Sequence, residues 1–322
     1  MTIVVDRSAP LVVVVGATGV QGGSVVRNLA ESDKPYRVRG LTRDAAKPVA
    51  QKLKEDGVEV VAVNIAVGNE AAVCNAFRGA HIVFSVTNFW EHLDVAREIA
   101  EGKLMVDAAA DVEVKLFIFS GLPSVSKGSA GKYTNVLHFD GKAEIVEYAR
   151  TRIPTVDVQA GFYISNLVGS PLSPVKQQDG SYVWPQPGPG DKPYPLIDME
   201  RDYGLFVRFA IESPEYNKGG GTIHTYSEQL TAKKVVAILE RARGLKIAIV
   251  EPSQEQRRAA FTALNLPPHI LEDMMELSFG AEFGYYFGAE MSAEQQKVRA
   301  GLARKPTTFE EFLNLNAGFL AG

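Results

Sequence analysis

The chain carries one cysteine, Cys74, and two tryptophans, and it has no apolar run approaching the roughly 18–20 residues of a membrane helix. A single cysteine excludes an intramolecular disulfide and any multi-cysteine metal site, and it suits a reducing compartment. Basic runs are missing too. With 34 Lys+Arg against 38 Asp+Glu and a net charge of −4, the sequence lacks the phosphate-neutralising cluster of a non-specific nucleic-acid binder. Asp6 and Arg7 interrupt the short apolar start, so no signal peptide is expected. His81, His92, His224 and His269 show no ligand spacing, which leaves a zinc or iron site without support. No Gly-x-Ser-x-Gly elbow is present, so a serine hydrolase is excluded. The expectation is a cytoplasmic protein, with a nuclear location also open, that contacts neither membrane nor nucleic acid directly.

What the chain does have is alternation. In its 322 residues, 46% of them apolar, short apolar runs over 11–15, 37–41, 58–64, 81–86, 114–120 and 155–159 read as strands. Segments of helical period lie between them at 47–56, 70–77, 93–110 and 140–151. Strands and helices alternating at this spacing predict an α/β fold, a doubly wound parallel sheet of Rossmann type. The pattern breaks near Asn166. The stretch 184–195 (WPQPGPGDKPYP) reads as a loop, 218–221 as a turn, and 231–243, 254–264, 269–277 and 293–302 as helices. The expected organisation is a nucleotide-binding domain over 1–165 and a smaller, mainly helical C-terminal domain over 166–322.

The first strand runs into Gly16-Ala17-Thr18-Gly19-Val20-Gln21-Gly22-Gly23. Glycines at 16, 19 and 22 suit a tight turn, close backbone approach to a pyrophosphate and close packing of the next helix on the strand. That helix start would supply oriented N–H groups and the positive dipole end. The second strand ends in Thr42 and Arg43 where an NAD site usually places a carboxylate for the ribose. Arg43 can instead form a charge-assisted fork with a 2′-phosphate, so NADP(H) is expected over NAD(H).

The loop GATGVQGG, the LTR at the second strand, VTNFWE at 86–91, HFDGKAEIVEYAR at 138–150, FYISN at 162–166 and the segment 179–202 together resemble the NmrA-like family. These are atypical relatives of the short-chain dehydrogenases, and they include regulators as well as reductases. The resemblance implies Gly16, Thr18, Gly19, Gln21 and Gly22 at the pyrophosphate, Thr42 and Arg43 at the 2′-phosphate, and Asn64 near the adenine. It also implies Thr87 and Asn88 along the coenzyme trough, with Lys142 and Gly161, Phe162 and Tyr163 near the nicotinamide.

A standard short-chain reductase uses a Tyr with a Lys four residues on and a nearby Ser. Ser120 and Lys142 stand where the Ser and Lys would, but the Tyr position is His138, and no Lys in the chain has a Tyr four residues before it. His138 reads either as a general acid or as a helix-start residue hydrogen-bonded to backbone. The second is favoured, because a neighbouring ammonium tends to keep an imidazole neutral. Lys142 reads as a donor to the coenzyme ribose or, in some tyrosine-less relatives, as the acid itself. Phe89 and Trp90 are pocket walls or packing, and Tyr163 is a rim phenol or packing. The stretch 282–286 and the C-terminal 309–320 serve either an interface or packing.

The missing tyrosine favours a redox-sensing regulator that binds NADP(H), in which ligand binding orders the segments 87–90 and 124–135 for a protein partner. The alternative is an NADPH-dependent oxidoreductase acting on a quinone, imine or carbonyl-like small molecule.

Overall fold

The computed structural model describes residues 3–188 and 190–320. Its central sheet is built from β1 (Leu11–Val15), β2 (Arg37–Thr42), β3 (Glu59–Ala62), β4 (Ile82–Ser85), β5 (Leu116–Phe119), β6 (Thr155–Gln159) and an edge strand, Thr222–His224. The spatial order is β3-β2-β1-β4-β5-β6-edge, every pair parallel. This is the Rossmann arrangement expected from the alternation. The chain reverses direction of growth between β1 and β4, and a ligand crevice opens beyond the carboxyl ends of the strands at such a switch point.

The apolar run of β1 serves two cores at once. Val12 and Val14 enter one cluster with Val25, Val26 and Leu29, while Leu11, Val13 and Val15 enter another with Val73, Phe77 and Met105. A strand covered on both faces has no polar side to show, hence the unbroken LVVVV. Eight helices surround the sheet: α1 (Val20–Ala30), α2 (Pro48–Glu55), α3 (Glu70–Phe77), α4 (Phe89–His92), α5 (Val95–Asp111), α6 (Val125–Gly128), α7 (Leu137–Arg152) and α8 (Met199–Glu212). Helices α1 and α8 contribute to the first core; α3, α5 and α7 contribute to the second.

Packing is continuous across 165/166 in the first core. Helix α8 lies against α1 so closely that a Cβ on Gly204 would meet Ser24 O at 2.1 Å, and Gly204 N–H donates to Ser24 Oγ at 3.0 Å. Residues from both halves, among them Val12, Val158, Ile197, Tyr203 and Val298, share one core. The edge strand Thr222–His224 also returns to the large sheet after the expected boundary.

The C-terminal region holds the helices Ala232–Arg243, Gln254–Thr262, Pro268–Glu276 and Ala293–Gly301 close to where the periodicity places them, and a further helix, Phe309–Leu315, within the C-terminal stretch 309–320. Thr231 caps the first of these by accepting from Lys234 N–H. Two small sheets accompany them. Tyr194–Ile197 lies between Phe162–Tyr163 and Glu228–Leu230, and Tyr182–Pro185 lies between Val175–Lys176 and Ile247–Val250. Both ends of the expected loop 184–195 therefore belong to strands. All but one of their pairing partners lie 30 or more residues away along the chain, and local Pro and Gly content carries no sign of them. Among the described residues, no helix is long and apolar enough to cross a membrane, and no group of three or more His, Cys, Asp or Glu is placed to hold a metal ion.

Two differences near the crevice matter. The expected helix 93–110 is α5, which starts two residues later because Leu93 takes φ 55° and Asp94 then caps it by accepting from Arg97 N–H at 3.1 Å; a separate turn, α4, precedes it where no helix was expected. The single turn α4 is thereby set apart at the end of β4. Helix α7 begins at Leu137, one turn before the expected 140, which puts His138 in its first turn.

Candidate functional site

The site grows from the turn after β1. Gly16 adopts φ +66°, which favours glycine, and a Cβ on Gly22 would lie 2.2 Å from Gly16 O. That contact is with backbone, so no side chain fits at Gly22. Gly19 is the N-cap of α1, offers no side chain to the first-turn N–H groups, and no acidic residue stands in that turn. The turn thus presents backbone donors and a positive dipole end, an arrangement suited to an anion.

The other expected residues distribute unevenly around this turn. Thr18 Oγ1 and Thr42 Oγ1 are 3.2 Å apart and tie the glycine turn to the end of β2. Thr42 is buried, so its hydroxyl serves this tie, while the neighbouring Arg43 is exposed. Arg43 Nη1 donates to Glu91 Oε1 of α4, and this bond holds the Glu91 carboxyl below its ordinary range. Asn88 Nδ2 donates to the other Glu91 oxygen at 3.3 Å. Gln21 Nε2 donates to the Tyr163 hydroxyl at 2.6 Å, while Gln21 Oε1 is buried without a hydrogen-bond partner. Burial pushes the Tyr163 phenol up to about 12, so it remains protonated at neutral pH.

Asn64 lies past the end of β3, exposed, and its carbonyl accepts from Asn69 Nδ2 at 2.7 Å. Gly161 and Phe162 are packing residues. A Cβ on Gly161 would meet Thr225 O at 2.3 Å, and Phe162 sits in the core of the small sheets against Tyr194.

Lys142 is not a solvated helix lysine. Its Nζ donates to Glu98 Oε1 at 2.6 Å, Thr87 Oγ1 at 2.8 Å and Thr87 O at 3.1 Å. The Glu98 side chain is only 2% exposed, and Thr87 Oγ1 donates to the same Oε1 at 2.7 Å. Four-residue spacing on α7 places Lys142 one turn from His138 on the same face.

His138 departs from the expected backbone bond. Its Nδ1 lies 2.9 Å from Asp273 Oδ2 and 2.7 Å from Oδ1, and its own N–H donates to Oδ2 at 3.1 Å. Asp273 is fully buried, on the helix Pro268–Glu276. A carboxylate can only accept here, so Nδ1 carries the hydrogen and Nε2 is the free nitrogen; it makes no hydrogen bond to the described residues. Trp90, Phe89 and Phe139 surround the imidazole, with ring centroids at 5.0, 5.7 and 4.8 Å. Phe89 is buried beside Ile270 and Met274, whereas Trp90 is half exposed. Ser120 is buried at the end of β5.

Glu98 and Asp273 were missed in the sequence. Each is a carboxylate on an otherwise apolar stripe: Val95, Glu98, Gly102 and Met105 on one helix, Ile270, Asp273 and Met274 on the other. A charge at a core position of a helical stripe is the signal that would have singled them out.

The segment 124–135 is fixed by the chain's own groups. Ser124 caps α6, Asp140 accepts from Ser124 and Ser126, Glu282 accepts from Lys132 and Tyr133, and Glu276 accepts twice from Asn135. It is not a free loop. The same bonds account for Glu282 by packing within the chain, as do the Tyr286 hydroxyl's bonds to Gln159 O and Thr225 O.

Asp157 of β6 is fully buried, and Gln159 Nε2 donates to its Oδ2 at 2.8 Å. Burial pushes its carboxyl up to about 7. A pKa raised by folding stabilises the native state at low pH, and that contribution is lost as pH rises through the folded value. Asp157→Asn is therefore expected to gain roughly 4 kcal/mol relative to the native chain on going from pH 4 to pH 8. Urea unfolding at both pH values measures it, and parallel pH trends for the two proteins would refute it.

An open parallel sheet with a glycine turn at its switch point and a cation at the end of the second strand define a dinucleotide-type Rossmann protein. The chain belongs to the NmrA-like family, whose model matches residues 8–313. It is similar to the NmrA-like family domain-containing oxidoreductase FrzB of a Cladobotryum species, 31% identical over 92% of this chain and 93% of that protein. Among solved structures it resembles NmrA, a negative transcriptional regulator, in complex with NADP (TM-score 0.77, 24% identity, 98% of this chain and 99% of that one). It also resembles the NADPH-dependent quinone oxidoreductase QOR2 of Escherichia coli complexed with NADPH (TM-score 0.73, 20% identity, 96% and 100%).

Proposed function

We propose that this protein is an NADP(H)-dependent oxidoreductase in which His138 donates the proton. The observation that carries the reading is the His138–Asp273 pair. The regulatory reading leaned on a missing tyrosine; an oriented imidazole at that position supplies a proton donor in its place. It also leaned on a segment 124–135 ordered by ligand, and that segment is tied to the chain's own carboxylates.

The chain's groups fit the coenzyme. The crowded glycine turn admits a diphosphate on its backbone face, Arg43 suits the 2′-phosphate, and the orphaned Gln21 Oε1 is a polar atom awaiting a donor. When bound, the reduced nicotinamide supplies the electron pair and one hydrogen to the substrate. Asp273 holds His138 in the tautomer that leaves Nε2 free, and it stabilises the positive charge when Nε2 carries a proton. Nε2 then delivers that proton to the substrate oxygen or nitrogen as negative charge develops there. Lys142, locked between Glu98 and Thr87, holds a fixed positive charge one turn away, and Phe89 and Trp90 keep water from the imidazole face.

A similar structure is that of a quinone oxidoreductase, and a similar sequence is named an oxidoreductase; the first favours a quinone within the range of quinones, imines and carbonyl-like small molecules. The test is NADPH with a panel of these, following loss of absorbance at the reduced nicotinamide band. Turnover on the order of 1 s⁻¹ is expected for at least one class. Calorimetric binding of NADPH without turnover across the panel would overturn the enzyme reading in favour of the regulator.

A further inference from the structure

The Arg43 guanidinium, exposed at the end of β2, is already engaged by Glu91 of α4. That helix is a single turn, Phe89–His92, closed by Leu93 in the left-handed region. Phe89 anchors its inner side in an apolar cluster, while Trp90 and Glu91 lie on its outer side. Glu91 thus sits one residue from the indole that packs on His138 at 5.0 Å. His92 Nε2 also lies 3.7 Å from Glu91 Oε1.

We propose that Glu91 is a specificity-determining residue. Its carboxylate occupies Arg43, a ligand phosphate at that position displaces it, and the displacement moves Trp90 off His138. The proposal rests on the coenzyme seat described above.

The chemistry of the competitors sets the direction. A phosphate monoester carries about −1.5 to −2 charge against −1 for the carboxylate, and it presents three acceptor oxygens to a guanidinium. Two anions cannot share one fork without mutual repulsion, so Glu91 leaves when the phosphate arrives. A coenzyme lacking that phosphate offers Arg43 nothing better than Glu91, and the Arg43–Glu91 pair persists. Selection for the phosphorylated coenzyme is then coupled to exposure of the proton donor, through one turn of helix.

The experiment uses adenosine 2′,5′-bisphosphate and adenosine 5′-monophosphate as probes of the whole protein. Trp90 and Trp184 are the only tryptophans, and Trp184 is buried, so acrylamide quenching of the native chain reports mainly on Trp90. A Trp184→Phe variant isolates it fully if that variant folds. Three results are expected. The bisphosphate increases Trp90 quenching and the monophosphate does not. Glu91→Gln binds the bisphosphate about three- to fivefold tighter, the strength of an exposed ion pair, with monophosphate affinity unchanged. Glu91→Gln also shows the raised quenching before any nucleotide is added. If the bisphosphate binds and Arg43→Ala weakens it, yet Glu91→Gln neither tightens binding nor changes quenching, the role of Glu91 is refuted and the coenzyme seat stands. If neither nucleotide binds, the seat itself fails and this inference with it.

Discussion

His138→Gln is expected to lower kcat by about 10²–10⁴-fold, the usual contribution of a positioned general acid, with NADPH affinity nearly unchanged. Gln keeps a polar side chain of similar reach but has no titratable proton. The imidazole touches Asp273, Phe89, Trp90 and Phe139, and no bond from it reaches the glycine turn among the described residues, so any effect on coenzyme binding is limited to the lost Trp90 contact and is small beside the loss in kcat. Asp273→Asn gives the companion result. A carboxamide can turn an N–H toward Nδ1, favour the other tautomer and leave Nε2 the wrong nitrogen for the task. Its kcat is expected to fall by about 10²-fold or more. Steady-state kinetics over pH 5–9 with a quinone and a ketone separate these effects. A ketone, which needs the acid more, loses more than a quinone. If His138→Gln retains a third of the native rate on both substrates, the proton comes from elsewhere.

Lys142→Met produces the other large effect, on stability rather than on chemistry. The Glu98 carboxylate is buried, with Oε2 unpartnered and Oε1 shared by Lys142 and Thr87. Removing the ammonium strands a buried charge, which costs about 3–5 kcal/mol. In a chain of this size that lowers Tm by on the order of 10 °C. Adding Glu98→Gln removes the stranded charge and is expected to restore more than half of the loss, since Thr87 Oγ1 can still donate to the amide oxygen. Thermal unfolding of the single and double variants measures it, and an unchanged Tm for Lys142→Met would show that the pair contributes nothing. Loss of activity in Lys142→Met taken alone is therefore ambiguous; the double variant is the proper background for judging any role of Lys142 toward the coenzyme.

The glycine turn was legible because its constraint is local. Gly16, Gly19 and Gly22 are required by backbone geometry within seven residues, and the flanking LVVVV and the period of α1 identify the elements they join. Arg43 was legible as a strand end, but its partner was not, since Glu91 reaches it across β1 from the end of β4. His138 was found by its place relative to Lys142, and its reading changed once Asp273 came into contact from 135 residues further on. Lys142 was singled out by its place in the pattern, but its ion pair was not, because its neutralising carboxylate lies on α5. Likewise, the strands at 182–185 and 194–197 were hidden in a Pro- and Gly-rich stretch, because β pairing is decided by a distant edge.

From the sequence alone came the doubly wound sheet, the anion-binding turn and the missing tyrosine, since alternation, glycine spacing and the absence of a residue type are properties of neighbours along the chain. Tertiary structure decided the protonation partners, the engagement of Arg43 and the merging of both halves into one core. Charge pairing and desolvation depend on which groups meet in space, and here those groups are brought together only by the folding of segments tens to more than a hundred residues apart.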